Sequence, residues 1–236
     1  MKKNLFASTF LFFILTAIGV CGDASARALT KEEAQKKCDA YQNQAEINFL
    51  SSYGKLGYDT SLSTQQLSVL SKKHKAIDDG DNASGLSLSD VVLRVSMRSK
   101  TYNLDGVYSC VVPTQIDVFV GYQNPVIYIS RDVLQDECYY QIVVRHEQTH
   151  QQINVLALEY FLPQFKALAK KYAKDMNPTL VQRGVSTPQQ VINAKNKEFS
   201  DNMSDLVNQF KKFIADEQKN LDNDENYAFE NKICGR

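Results

Sequence analysis

Residues 143–152 read Val-Val-Arg-His-Glu-Gln-Thr-His-Gln-Gln, and they place two of the chain's three histidines four residues apart. Side chains at positions i and i+4 lie on the same face of a helix, about 5–6 Å apart. His146 and His150 can therefore bind one tetrahedral zinc ion at about 2.0–2.1 Å from each imidazole. Val143 and Val144 precede the pair, as expected for a helix with a buried face. This stretch predicts a core helix that supplies two metal ligands.

Glu147 and a third ligand complete the chemistry that such a helix suggests. The carboxylate beside the first histidine can take a proton from a water molecule that the metal activates. A catalytic zinc ion usually has three protein ligands and one position left for water. The remaining histidine, His74, lies in a lysine-rich segment and is interpreted as a surface residue. We therefore expect the third ligand to be a carboxylate from the C-terminal part of the chain.

Three carboxylates near the C-terminus are candidates for that ligand. A long amphipathic helix is predicted after Thr187, with apolar residues at three- and four-residue steps over 199–221. At 100° per residue Glu217 falls within the apolar stripe, while Asp224 and Glu225 flank its continuation. A carboxylate on a buried apolar face needs a partner or a metal. The same three residues fit exposed positions near a frayed helix end equally well, so the pattern alone leaves the choice open.

Residues 225–228, Glu-Asn-Tyr-Ala, have the E-x-x-A form that resembles the third-ligand helix of gluzincins. With the H-E-x-x-H of residues 146–150, they make the chain resemble the zincin-type zinc metallopeptidases. The order of a short sheet, a motif helix and a long helical tail is also similar to that of secreted bacterial proteins resembling zinc proteases. Residues 224–227 resemble the D-x-x-Y of aspzincins, without the glycines that flank it there. The resemblance favours Glu225 as the third zinc ligand.

The same resemblance implies a function. A peptide or protein would be the substrate, zinc the cofactor, and Glu147 the general base that passes its proton to the leaving amine. A strand before the motif helix would hold the substrate by adding it to the sheet.

Asn154 would bond near the metal or be a buried structural residue, and Tyr227 would donate to an oxyanion or pack in the core. The alternative is a non-catalytic secreted helical module that binds a partner, with a structural or vestigial zinc site.

A small antiparallel sheet is predicted before the motif. Period-two alternation of apolar and polar residues over 91–98 indicates a half-buried strand. Residues 107–129 are predicted to form further short strands, with breaks at Pro113 and at Asn124-Pro125. The sheet and the helices around it predict an α+β fold, and the resemblance makes that fold zincin-like.

Helices are predicted on both sides of this sheet. Thr30 begins a capping box, and the helix after it is expected to reach about residue 51. The motif helix follows the sheet, and Pro163 is expected to end or kink it. Long helices then fill the C-terminal part of the chain.

The first 28 residues have the features of a secretory signal peptide. Two lysines precede an apolar run over residues 5–20, and A-x-A cleavage sites follow near Ala28. The run is short for a membrane span, and no second apolar segment is long enough for one. We predict a signal peptide over 1–28 and one domain over 29–236, in the periplasm or outside the cell. The segment before Val91 carries no motif and is a candidate pro-segment.

The cysteines and the charge balance bear on compartment and partners. An even number of cysteines after export predicts two disulfides among Cys38, Cys110, Cys138 and Cys234. Three pairings are possible, and we favour Cys110–Cys138 with Cys38–Cys234.

The chain has 27 basic and 27 acidic residues, so its charge gives no reason to expect a nucleic acid or an anionic membrane as partner. The sequence carries no signal for an oligomeric state.

Overall fold

The computed structural model describes residues 27–42, 45–74, 76 and 81–235. The predicted signal peptide over 1–28 lies almost wholly outside the described residues. In chain order the helices and strands of the described part are α1 Lys31–Asp39, β1 Glu46–Ser52, β2 Gly57–Asp59, α2 Thr64–Lys73, β3 Gly85–Asn103, β4 Tyr108–Ile129, α3 Glu137–Lys174, β5 Thr179–Gln182, α4 Pro188–Leu221 and α5 Asp224–Ile233.

The strands form one mixed sheet around β4. β3 pairs with β4 antiparallel along almost its whole length, from Gly85 opposite Ile129 to Asn103 opposite Ser109. β5, β1 and β2 pair with successive parts of β4, and they share its other edge. β5 is antiparallel to β4, whereas β1 and β2 are parallel to it. The arrangement is consistent with an α+β fold, but the prediction of an antiparallel sheet is wrong for β1 and β2.

β1 lies where the sequence predicts that the first helix continues. α1 begins with the predicted capping box at Thr30 but ends at Asp39. From the start of β1, exposed and half-buried positions alternate, and Ile47 and Phe49 pack against the core. Asn48 lies between them and donates a hydrogen bond of 3.0 Å to Asp117 on β4. This two-residue period is that of a strand, so pairing with β4 decides the conformation of the segment.

β4 is one continuous strand, although Pro113 and Asn124-Pro125 predict breaks in it. The pairing with β3 shifts register after Arg98, and Thr114 is the extra residue on β4. A second shift lies at Asn124-Pro125, where the φ of the asparagine is 50°. A β-bulge tolerates a residue that has no backbone N–H to donate. The prolines therefore distort the pairing locally and do not end the strand.

α3 and α4 pack on the sheet and form the main core with it. This core contains Ile116, Val118 and Val120 from β4, Phe161 and Phe165 from α3, and Phe199, Met203 and Phe210 from α4. Pro163 does not end α3, which continues to Lys174. A proline inside a helix costs about 3 kcal/mol, and each buried phenylalanine contributes about 1.5–3 kcal/mol. The two buried phenylalanines beside Pro163 are therefore enough to keep the helix continuous.

Two disulfides join distant segments. Cys38–Cys110 links α1 to β4, and Cys138–Cys234 links the start of α3 to the end of α5. The prediction of two disulfides is confirmed, and the favoured pairing is wrong. The first pair meets in a buried cluster with Val112, a proximity that spacing along the chain does not reveal. The bonds indicate an oxidising environment. No helix in the described ranges is long and apolar enough to cross a bilayer.

Candidate metal centre

The motif helix brings His146 and His150 together on the buried side of α3. The two residues are only 6% and 8% exposed. The two Nε2 atoms are 3.1 Å apart, and the ring planes meet edge to face. One turn of helix thus presents two imidazole nitrogens to one point, as the i, i+4 spacing requires. His74, by contrast, is exposed at the end of α2.

Asp222 supplies the third group at this point. It lies just after the last residue of α4, and its Oδ1 is 3.0 Å from the Nε2 of His146 and 3.0 Å from that of His150. The three residues form a group that could hold a metal ion. Ligands of a tetrahedral zinc ion at about 2.0–2.1 Å lie about 3.3–3.4 Å from one another. The observed triangle is only slightly tighter, so these residues fit a zinc ion.

Asp222 takes the position predicted for Glu225. The structure places Glu225 and Asp224 on the exposed first turn of α5, and it leaves Glu217 half-buried on α4 outside the group. The prediction extrapolated the phase of α4 beyond its end. α4 stops at Leu221, so the helical phase does not extend to Glu225. The structure therefore brings Asp222, and not Glu225, to the two histidines.

The local sequence contains the signal for this break. Asn223 is the N-cap of α5, and its side chain accepts a hydrogen bond of 2.9 Å from the backbone N–H of Asn226. Asparagine and aspartate favour caps and turns because their side chains bond nearby backbone groups. The run Asp-Asn-Asp over 222–224 therefore marks the start of a new helix. This signal predicts that Asp222 lies in a turn, where the helical phase of α4 does not determine the direction of its side chain.

A second group of residues binds the far nitrogens of the two histidines. Glu230 Oε2 lies 3.1 Å from Nδ1 of His146. Gln218 Oε1 is in close contact with Nδ1 of His150. Such partners fix the tautomer of a metal-binding histidine, because a protonated Nδ1 leaves the Nε2 lone pair for the metal. Sequence reasoning missed both residues, which lie on α5 and α4.

Gln218 also connects the centre to Asn154. Its Nε2 donates to the backbone carbonyl of His150 and to Oδ1 of Asn154, both at 3.1 Å. Asn154 is buried, and its backbone carbonyl accepts a 2.8 Å hydrogen bond from Tyr122. Asn154 therefore combines the two roles considered for it. It is buried, and Gln218 links it to the candidate ligand His150.

Tyr227 covers the centre from α5. Its ring stacks on His146 with 5.2 Å between centroids, and its hydroxyl donates a 2.8 Å hydrogen bond to Asp222 Oδ1. Partial burial and the charge of Asp222 raise the pKa of Tyr227 well above its usual range. Burial also acts to raise the pKa of Asp222, but hydrogen bonds from His146, His150 and Tyr227 outweigh it and hold that pKa well below its usual range. The aspartate is therefore ionised, as a metal ligand must be.

Glu147 lies beside the ligands and against the sheet. Its side chain is 6% exposed, and burial raises the pKa of its carboxyl to about 8. The side chain rests on Gly85 of β3, where a Cβ atom would lie 2.8 Å from the Glu147 Cδ. The first strand residue after the loop must therefore be a glycine, because any larger residue would displace the carboxylate.

An open groove of about 450 Å³ lies on the other side of α3. At 100° per residue its α3 members point about 180° away from the two histidines. The groove is therefore separate from the metal centre. It is lined by Leu56, Tyr58, Gln148, Gln151, Gln152, Val155 and Leu156.

Comparison of the chain with protein-family models, curated proteins and solved structures gave no significant match. Function is therefore inferred from the motif and from the geometry of the centre.

Proposed function

We propose that this chain is a zinc-dependent peptidase of zincin type that acts in the periplasm or outside the cell. The observation that carries the proposal is the group formed by His146, His150 and Asp222, with Glu147 next in sequence to the first ligand. Three protein ligands leave a position for water, which is the pattern of a catalytic zinc ion. The two disulfides support export, since such bonds persist in oxidising compartments.

In this proposal each residue has one task. When bound, zinc lowers the pKa of a water molecule and polarises the scissile carbonyl. Glu147 accepts the proton of the attacking water and transfers it to the leaving amine. Burial raises its pKa to about 8, and the charge of a zinc ion held beside it would lower that pKa and favour the ionised form that a general base needs. His146, His150 and Asp222 hold the ion, and Gln218 and Glu230 orient the imidazoles.

The sheet offers a place for an extended substrate. β3 pairs with β4 along one edge, and the described strands give it no partner along the other. A peptide can add to such an edge by backbone hydrogen bonds. Gly85 at the start of β3 touches Glu147, so an added strand there would pass close to the general base.

Zinc content and cleavage test the proposal together. The purified protein is expected to bind one zinc ion per chain and to cleave members of a peptide library. Glu147→Gln is expected to keep the ion and lose at least 100-fold in kcat, because only the base is removed. Asp222→Asn is expected to lose zinc affinity. Glu225→Gln is the matched control, an exposed carboxylate close in sequence that should change neither property.

A structural zinc site in a non-catalytic module is the second candidate. Both histidines and Glu147 are largely buried, and the Tyr227 hydroxyl lies 2.8 Å from Asp222 Oδ1, where it would close the fourth position. Tyr227→Phe separates the two functions. A structural site would lose more than 100-fold in zinc affinity, whereas a catalytic site would lose less than about tenfold. A wild-type protein that binds zinc and cleaves no peptide would support the module.

A further inference from the structure

α5 is held in place by few contacts of its own. It has no buried residue, and its large apolar side chains Phe229 and Ile233 are 66% and 49% exposed. Burial of apolar surface is the main force that fixes a helix on a core. That force is weak for α5, so its position must depend on specific bonds.

Those bonds lie at the metal centre and at the end of the helix. Tyr227 stacks on His146 and bonds Asp222, and Glu230 bonds Nδ1 of His146. Cys234, just past the last turn, is joined to Cys138 on α3. Glu230 and Cys234 are four residues apart, so they lie on the same side of α5 and face α3 together.

We propose that the Cys138–Cys234 disulfide holds α5 so that Glu230 positions His146, and that reduction of this bond weakens metal binding. The proposal rests on the metal centre described above. Cys138 precedes His146 by eight residues, which is about 12 Å along α3. Glu230 and Cys234 are about 6 Å apart along α5. The disulfide thus anchors α5 little more than two helical turns from the histidine that Glu230 contacts.

The two disulfides differ in their access to a reductant. Cys138 is exposed and Cys234 is half-buried. Cys38 and Cys110 are completely buried. A thiolate must reach a sulfur atom to break a disulfide, so access controls which bond exchanges first. The bond at α5 is therefore the one that a reductant in solution meets first.

The reductant would be a dithiol. One of its thiolates attacks a sulfur of the Cys138–Cys234 bond and forms a mixed disulfide, releasing the other cysteine as a thiolate that takes up a proton. The second thiol of the reductant then displaces the remaining cysteine and closes its own disulfide. Two electrons and two protons pass to Cys138 and Cys234, and the dithiol is oxidised.

The first experiment measures zinc affinity during graded reduction of the wild-type protein. Zinc is the probe, competed against a coloured chelator, and alkylation followed by mass spectrometry counts the free cysteines. With low concentrations of dithiothreitol, Cys138 and Cys234 are expected to appear first. After alkylation of the free cysteines and removal of the dithiothreitol, which itself binds zinc, zinc affinity is expected to fall about 10–100-fold, the usual effect of losing an outer partner of a ligand. Unchanged affinity with this pair reduced, or earlier reduction of Cys38–Cys110, would overturn the proposal.

The second experiment uses variants that need no reductant. Cys138→Ser/Cys234→Ser is expected to show the same loss of zinc affinity, with circular dichroism confirming that the fold is kept. Cys38→Ser/Cys110→Ser is the matched disulfide control, and in its folded fraction zinc affinity should stay within about twofold of wild type. Equal losses in both double variants would contradict a specific role for the bond at α5.

A double-mutant cycle tests the part played by Glu230. Glu230→Gln is expected to lower zinc affinity about tenfold in the oxidised protein and less than twofold in Cys138→Ser/Cys234→Ser, because Glu230 is already displaced there. Glu225→Gln on the same helix should have no effect in either background. Additive losses would show that the disulfide does not act through Glu230.

The outcomes also separate this proposal from the proposed function. A wild-type protein that binds no zinc would overturn both. A protein that binds zinc and cleaves peptides equally well with and without the Cys138–Cys234 bond would leave the peptidase standing and overturn the role of the disulfide.

Discussion

At the scale of single residues, hydrogen bonds decide which atoms face the candidate metal. Glu230 and Gln218 contact the Nδ1 atoms of the two histidines, so both Nε2 atoms point toward Asp222. The aspartate is ionised because His146, His150 and Tyr227 all bond it. Hydrogen bonds within the chain thus orient these groups toward one another, and such an arrangement reduces the cost of ordering them around an ion.

Gly85 gives a prediction at the same scale. Gly85→Ala would bring a methyl group into the space of the buried Glu147 side chain. Overpacking of this kind costs about 1–3 kcal/mol, so we expect the free energy of unfolding in urea to fall by that amount. If the proposed function holds, peptidase activity should fall as well, because the substitution displaces Glu147, the proposed general base.

Gly106 provides the matched control for that variant. A Cβ atom there would meet nothing within 4 Å, and the residue lies in an exposed turn. Gly106→Ala should therefore change the free energy of unfolding by less than about 0.5 kcal/mol. Equal effects of the two substitutions would show that the contact with Glu147 is not tight.

At the scale of elements, local signals predicted where α1 and α4 begin and did not predict where these two helices end. Thr30 and Thr187 form the capping boxes that start α1 and α4, because a cap depends only on residues three positions apart. The end of α1 depends on the pairing of Glu46–Ser52 with β4, which is a long-range contact. One helical turn was enough to predict that the two histidines meet. The position of Asp222 depends on where α4 ends, which the sequence pattern did not predict.

Asn223 gives a prediction at this scale. Its side chain caps α5, and loss of such a cap costs about 1 kcal/mol. Asn223→Ala should loosen the start of α5 beside Asp222, and we expect zinc affinity to fall about fivefold, the equivalent of that free energy. Competition with a chelator measures it. Asn231→Ala, an exposed position on the same helix, should leave the affinity within twofold; an equal loss there would refute the role of the cap.

At the scale of the whole molecule, the centre joins parts of the chain that are far apart in sequence. Asp222 lies 76 residues from His146 and 72 from His150. An ion bound by all three would tie the end of α4 to α3. Because the unfolded chain cannot offer this arrangement, binding adds to the stability of the folded state.

This linkage predicts that zinc stabilises the protein more as pH rises from 5 to 8. Zinc needs both imidazoles neutral, so protons compete with it at low pH. Without a metal ion, burial lowers the pKa of His146 and of His150. Hydrogen bonds and charge from Asp222, together with the charge of Glu230 on His146 and of Glu147 on His150, outweigh burial and raise both pKa values. A raised pKa adds stability below the unfolded value, about 6.5, and that stability is lost as pH rises through the folded pKa.

The stability that zinc adds therefore rises with pH, whereas the stability that the two histidines give the protein without zinc falls. The difference in melting temperature between zinc-loaded and chelator-treated protein should widen from pH 5 to pH 8. At a free zinc concentration 1,000 times the Kd, the added stability is about 4 kcal/mol. Scanning calorimetry at four pH values measures this difference in melting temperature. The contributions of groups that titrate equally in both forms cancel in it. Asp222→Asn should show a small difference at every pH. A gap that stays constant or narrows in the wild type would mean that the stabilising ion is not held by His146 and His150.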